Sequence, residues 1–252
     1  MSIRIVTDSS CDLPTDMVRE NEIEIVPLTV LIDGREYQES VNLDGTEFAR
    51  LMRNSKELPK TSQPSPHAFL SAFEQVTKTA ESAVEVLCLT LSSKLSGTFQ
   101  SACAAAKRFA GTASVIDSKS GTIGLGIMVL EAKRLVQSGL PLAEITAKLE
   151  AMREQLSVFV SLDTLENAVK GGRLRRVEAT VAQLLKIKVF LRVNDGAVEV
   201  CGRTRGKKNV IAGFLDAMQA KAVDYRNRIV GISHVDNEEG ARALAERITE
   251  RF

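Results

Sequence analysis

Three strand-like runs of this chain pass straight into hydroxyl-rich residues: I-R-I-V-T-D-S-S at 3–10, V-L-C-L-T-L-S-S-K-L-S-G-T at 86–98 and S-V-I-D-S-K-S-G-T at 114–122. A fourth cluster, K-T-S-Q-P-S-P at 60–66, stands as an isolated loop. A strand that stops in Ser, Thr and Gly ahead of a helix exposes hydroxyls and unpaired backbone N–H groups, a donor set suited to an anionic headgroup. The sharpest segment is L-S-S-K-L-S-G-T, where Ser92, Ser93, Ser96 and Gly97 can turn O–H and N–H donors toward one carboxylate. Each charge-assisted bond of that kind contributes about 1.5–3 kcal/mol. The same residues serve as caps for the following helix, and the pattern leaves both roles open. In the 60–66 loop, Pro64 and Pro66 would hold Thr61 and Ser62 in a fixed geometry, although alone it reads as an ordinary proline-bearing turn.

Covalent chemistry is the alternative reading, a small-molecule hydrolase or phosphotransferase using Asp8 or Ser96. Asp8 closes the first strand where a phosphotransfer nucleophile would sit, but the D-x-D-x-T order of haloacid-dehalogenase-type phosphatases is absent. Asp8 and Asp12 are better assigned to fixing loop geometry through local side-chain to backbone bonds. No G-x-S-x-G elbow accompanies any serine. The two histidines, His67 and His234, have no metal-ligand spacing around them, and no metal is expected. The G-x-G at 124–126 lacks the third glycine of a dinucleotide site and falls inside a helix pattern, so no cofactor is expected either.

The remaining composition narrows the class further. Thirty-three basic residues against 32 acidic ones leave a formal charge of +1, too balanced for a protein whose work is neutralising phosphate backbones. The basic stretches K-G-G-R-L-R-R at 170–176 and G-R-T-R-G-K-K at 202–208 carry no interleaved aromatics to stack on bases, and read as a solvated face or a protein docking surface. Cys11, Cys88, Cys103 and Cys201 lie far apart with no C-x-x-C pair, and the sequence opens on a strand-like run, so reduced thiols and a cytoplasmic location are expected. Charge interrupts the longest apolar runs well before the roughly 18 residues a membrane span needs.

These residues need elements to position them. Residues 1–160 alternate strand and helix patterns, the mark of βαβ units around a mostly parallel sheet, with strands expected at 3–7, 24–31, 85–91, 114–117 and 158–162. A helix from Gly97 to Ala110 stops at Gly111 and points its N-terminus at Ser92, Ser93 and Ser96. Another follows the 114–122 segment to Gly139, and a third carries Leu142, Ile145, Leu149, Met152 and Leu156 on one face. The pattern shifts over 161–252 to a smaller α+β domain. Its expected elements are a short helix ending at Gly171-Gly172, a helix over 177–186 and a hairpin turning at Asn194-Asp195-Gly196. A helix over 208–222, a strand R-I-V-G-I-S at 228–233 and a last helix from Glu238 complete it.

Taken together, T-D-S-S-C-D-L-P at 7–14, V-P-L-T-V at 26–30, K-T-S-Q-P at 60–64, L-S-S-K-L-S-G-T-F-Q-S-A at 91–102, V-I-D-S-K-S at 115–120 and K-G-G-R-L at 170–174 strongly resemble the DegV family, over nearly the whole chain. The resemblance implies a two-domain α/β carrier, not an enzyme, that encloses one long-chain fatty acid and presents its carboxyl group to a separate fatty acid kinase for acyl phosphate formation. It implies that Thr61 and Ser96 hold the carboxylate, with Ser62, Ser92, Ser93 and Gly97 in support, and that Arg173 and Arg203 engage the kinase. On that basis about ten buried methylenes would supply roughly 8 kcal/mol gross, more than the headgroup bonds, which mainly orient the ligand. Family members continue past the last helix into a terminal strand and an H-x-G-x-G segment whose histidine also reaches the carboxylate. The sequence here ends at Arg251-Phe252, so the second domain is expected without that strand, and His234 matches an earlier position of the family pattern rather than the missing histidine.

Overall fold

The computed structural model describes residues 2–78, 83–174, 187–206 and 208–252. They form two compact units, Met1–Leu156 and Ser157–Phe252. The expected α/β class holds: a parallel sheet flanked by helices in the first unit, a smaller α+β arrangement in the second.

In the first unit the strands are β1 (Ser2–Asp8), β2 (Glu24–Val26), β3 (Thr29–Ile32), β4 (Arg35–Gln38), β5 (Lys60–Ser62), β6 (Val84–Thr90) and β7 (Ala113–Asp117). The helices are α1 (Thr15–Glu20), α2 (Gly45–Asn54), α3 (Pro66–Lys78), α4 (Thr98–Ala106), α5 (Thr122–Gln137) and α6 (Leu142–Arg153). The parallel sheet runs β2-β1-β6-β7, and β4-β3-β5 make a separate antiparallel sheet. The two central strands are buried on both faces over Ile5–Asp8 and Val86–Thr90, which is why the C-terminal half of each carries no alternating polar face. On one face Ile5, Leu87, Leu89 and Ile116 pack with Leu125, Met128 and Val129 of α5 and with Ile145 and Leu149 of α6. On the other, Val6, Val86 and Cys88 pack with Phe69 and Phe73 of α3 and Ala102 and Ala105 of α4.

The single strand expected over 24–31 is two strands in two sheets. Pro27 has no N–H to give a ladder, and the amide of Leu28 donates instead to Ser9 Oγ at 2.9 Å. The chain therefore leaves the parallel sheet at Val26 and re-enters extended structure at Thr29 in the antiparallel one. The G-L-G of 124–126 lies inside α5, and a Cβ on Gly126 would come within 2.6 Å of the Cys11 carbonyl oxygen. Gly126 lets the helix approach the loop after β1.

The second unit holds β8 (Phe159–Leu162), α7 (Glu166–Lys170), β9 (Ile187–Asn194), β10 (Ala197–Arg205), α8 (Lys208–Gln219) and α9 (Glu238–Arg251). Its antiparallel sheet has the order β10-β9-β8, so the strand read at 158–162 pairs with β9 and belongs with this unit. The β9–β10 hairpin turns on Asp195 and Gly196 at φ 45° and 81°, the doubly positive geometry that a two-residue Asp-Gly loop supplies. Val189 and Leu191 pack with Leu165, and Gly213 of α8 lies against the Phe190 ring. The helix expected over 177–186 falls outside the described residues. R-I-V-G-I-S at 228–233 is not a strand: among the described residues it pairs with no strand, and Ile229 is 64% exposed. Among the described residues no helix is long and apolar enough to cross a membrane.

Candidate functional site

Asp8, Thr90 and Asp117 end three adjacent parallel strands in one row, because β1 and β6 pair Thr7 with Leu89 and β6 and β7 pair Thr90 with Asp117. The hydroxyl segments grow out of this edge, and the structure sorts them into two kinds. In the first segment Ser9 is buried and used twice, donating to Glu39 Oε2 at 2.7 Å and accepting from Leu28 N. Ser10 turns its amide and its hydroxyl onto Asp8 Oδ1. In the 114–122 segment Ser118 and Ser120 are buried and bonded to one another through Ser120 N to Ser118 Oγ and Ser118 Oγ to Ser120 O. These hydroxyls hold loops together.

The L-S-S-K-L-S-G-T segment was expected to expose unpaired N–H groups, and from Leu91 to Ser96 it does not. Leu91 N donates to Asp8 Oδ2 at 2.7 Å, Ser92 N to Ser120 O at 2.8 Å and Ser93 N to Asp117 Oδ1 at 3.2 Å. Lys94 N donates to Ser92 Oγ, and Leu95 N and Ser96 N both donate to Ser92 O. Every amide from Leu91 to Ser96 is thus consumed within the fold, as buried backbone groups require. Ser92 itself is buried. What this loop can offer a ligand is the Ser96 hydroxyl and the amide of Gly97, which has no acceptor among the described residues.

Ser96 precedes the N-cap of α4, Gly97, and still takes up an amide of its first turn: its Oγ accepts from Thr98 N at 3.3 Å and lies 2.8 Å from Thr98 Oγ1. The capping and binding roles are compatible. With Thr98 donating, the Ser96 oxygen accepts twice and its own proton stays available to an outside acceptor. Thr61 sits mid-strand in β5 opposite Val30, exposed, and its hydroxyl makes no hydrogen bond with the described residues. Ser62 follows on the other face of the strand.

Gln63 joins the two loops. Its Nε2 donates to Ser101 Oγ on α4 at 3.1 Å, and its amide lies so close over Gly97 that a Cβ there would come within 2.0 Å of Oε1. Thr61 and Ser96 are therefore carried by segments stapled one residue beyond Ser96 and two beyond Thr61. Sequence reasoning missed Gln63, which has no chemical signature of its own. It also missed Asp117, for which a signal existed: T-D-S-S and I-D-S-K-S repeat the same aspartate-serine ending on two strands.

Burial pushes the Asp8 carboxyl above its ordinary range, and the donors from Ser10 and Leu91 pull it back in part. Three of its roughly four acceptor sites are taken, Ser10 N and Oγ on Oδ1 and Leu91 N on Oδ2, so this buried carboxylate is engaged in holding the two loops. Among the described residues no three His, Cys, Asp or Glu side chains gather as a metal site. Arg173 and Arg203 lie in the second unit and are exposed, Arg173 giving one N–H to the Gly171 carbonyl at 2.7 Å. The residues 175–186 and Lys207 lie outside the described structure. A cleft of about 340 Å³ lined by Ile3, Arg4, Glu22, Lys133 and Leu140 sits at the opposite, N-terminal ends of the strands and has no part in this site.

The model of the DegV family, described as uncharacterised proteins, matches residues 2–252. The chain belongs to the DegV family. A DegV domain-containing protein of Caldanaerobacter subterraneus subsp. tengcongensis is 36% identical, covering 94% of this chain and 84% of its own. Among solved structures, a fatty-acid-binding DegV family protein from Thermus thermophilus superposes with a TM-score of 0.85 at 34% identity, covering 99% of this chain and 88% of that one. The Streptococcus pneumoniae fatty acid kinase (Fak) B3 protein, loaded with linoleic acid, gives a TM-score of 0.85 at 29% identity over 100% of this chain and 89% of that one.

Proposed function

We propose that this DegV protein binds a long-chain fatty acid through its carboxylate at Thr61 and Ser96 and presents that group to a separate fatty acid kinase, itself performing no chemistry. The observation that carries the reading is the pairing of two hydroxyls, Thr61 and Ser96, on loops stapled by Gln63, with the loop amides from Leu91 to Ser96 already held within the fold. Two O–H donors with no base among their hydrogen-bond partners in the described residues make a grip rather than a reaction centre. The likeness to a fatty-acid-binding relative and to the Fak B3 protein supports both the ligand class and the kinase partner. Few aromatic residues, 4% of the chain, leave aliphatic side chains to surround the tail. Reading Asp8 or Ser96 as a nucleophile gains nothing from the geometry, since Asp8 is buried and holds three donors and Ser96 has no base among its hydrogen-bond partners in the described residues.

Native mass spectrometry of the purified protein tests the proposal. A retained fatty acid mass, or oleate or palmitate taken up with one-to-one stoichiometry, is expected. An apoprotein spectrum that stays apo when either acid is added overturns it.

A further inference from the structure

We infer that Asp8 and Asp117 are positioning residues that clamp the Ser96 loop from both sides and so set its selectivity for a carboxylate headgroup, an inference resting on the fatty-acid reading above. The chain leaving β6 at Thr90 passes between the two strands that carry these aspartates. Asp8 takes the amide of Leu91 and Asp117 takes the amide of Ser93, so alternate residues of the exit are pinned to opposite neighbours. Between them Ser92 N is held by Ser120 O, and the carbonyl of Ser92 then accepts Leu95 and Ser96 to close the turn that delivers Ser96. A hydroxyl that must meet a carboxylate oxygen at hydrogen-bond distance tolerates little error, and neither aspartate touches the ligand site directly.

The two carboxylates are used differently, which makes the inference testable. Asp117 receives both Ser93 N and Lys119 N on a single oxygen, Oδ1. Asp8 divides its donors, Ser10 on Oδ1 and Leu91 on Oδ2. An asparagine has one acceptor oxygen and presents N–H donors from the other position. Asparagine can therefore replace Asp117 and cannot replace Asp8, where its NH2 would face a donor.

The experiment measures affinity for oleate and for oleyl alcohol, which share a tail and differ in the headgroup, on wild type, Asp8→Asn, Asp117→Ala and Asp117→Asn. Asp8→Asn is expected to lower the oleate-over-alcohol preference at least about tenfold, with faster hydrogen exchange at the Leu91 amide. Asp117→Ala is expected to lower the preference about fivefold, and Asp117→Asn to rescue it. A purely structural weakening would reduce both affinities together and leave their ratio in place. The inference is overturned if the ratio survives in Asp8→Asn and Asp117→Ala, or if Asp117→Asn loses as much as Asp117→Ala. Should Asp8→Asn not fold, the Asp117 pair decides alone. Wild-type protein that binds neither compound overturns the fatty-acid reading itself, and this inference with it.

Discussion

Gln63 lays its side-chain amide across Gly97, so closely that any side chain at 97 would have to displace it. Gly97 has φ −78°, a backbone that alanine accepts, and the obstructing atoms are the far end of a flexible side chain. Gly97→Ala is therefore expected to swing Gln63 away, breaking the link between the Thr61 and Ser96 loops while changing stability by no more than about 1 kcal/mol. Oleate affinity should fall up to about tenfold by calorimetry, the worth of one or two lost hydrogen-bonded contacts. Because both changes break one staple, Gln63→Ala in the Gly97→Ala background should add almost nothing. Additive losses would show that the two residues act separately.

Thr61 and Ser96 should separate when stability and binding are measured together. Thr61 is exposed and its hydroxyl has no internal partner, so Thr61→Ala leaves the melting temperature in place and weakens oleate by about 1.5–3 kcal/mol. Ser96 also accepts the first amide of α4, Thr98 N, so Ser96→Ala costs about 1 kcal/mol of stability besides its loss in binding. Calorimetry alongside thermal unfolding checks both, and unchanged oleate affinity in the double variant removes these residues from the headgroup.

The strand-to-hydroxyl junctions, the parallel sheet and the Asp-Gly hairpin were legible because each rests on local pattern: a buried apolar run, a cap, a turn needing positive φ. What failed was long-range. Nothing near Leu91 in the sequence says that its amide is taken by Asp8, 83 residues earlier, so the loop looked richer in free N–H donors than it is. The staple of Gln63 on Gly97 and Ser101 is also non-local, 38 residues to Ser101, and depends on two loops meeting. R-I-V-G-I-S has the composition of a strand, but a strand exists only with a partner, and none lies beside it among the described residues. Pro27 was the opposite case, a visible signal whose consequence, a change of sheet between Val26 and Thr29, depended on Ser9 being there to receive Leu28.

Gly126 presents the contrast to Gly97. The atom its Cβ would meet at 2.6 Å is the backbone carbonyl oxygen of Cys11, with Leu13 Cδ2 at 3.0 Å, and backbone cannot rotate aside. Gly126→Ala should force α5 off the loop after β1 and destabilise the protein by about 1–3 kcal/mol, read as a lower urea midpoint. An unchanged midpoint would show that the loop yields freely.

Thiol reactivity should follow burial. Burial pushes the Cys11 thiol up to about 12 and the Cys88 thiol well above its ordinary value, whereas Cys201 on β10 is exposed. Since the thiolate is the reactive form, Ellman's reagent on the native protein is expected to modify Cys201 first and to reach Cys11 and Cys88 only on unfolding. Rapid native labelling of Cys88, located by peptide mapping, would contradict the packing of β6 against α3 and α4.

Arg173 and Arg203 test the partner half of the proposal independently of the ligand half. Both side chains are exposed, and Arg173 reaches no carboxylate among its hydrogen-bond partners, giving an N–H to the Gly171 carbonyl instead. An exposed guanidinium left with donors to spare is suited to a carboxylate on another protein, where a bidentate pair would orient the two molecules. Removing it should slow encounter and docking without touching the acid. Arg173→Ala and Arg203→Ala are each expected to bind oleate as wild type does and to lower kcat/KM for acyl phosphate formation by a fatty acid kinase about tenfold, with the deficit shrinking as salt rises. Phosphorylation at the wild-type rate would take the residue concerned out of the docking surface while leaving the fatty-acid site standing.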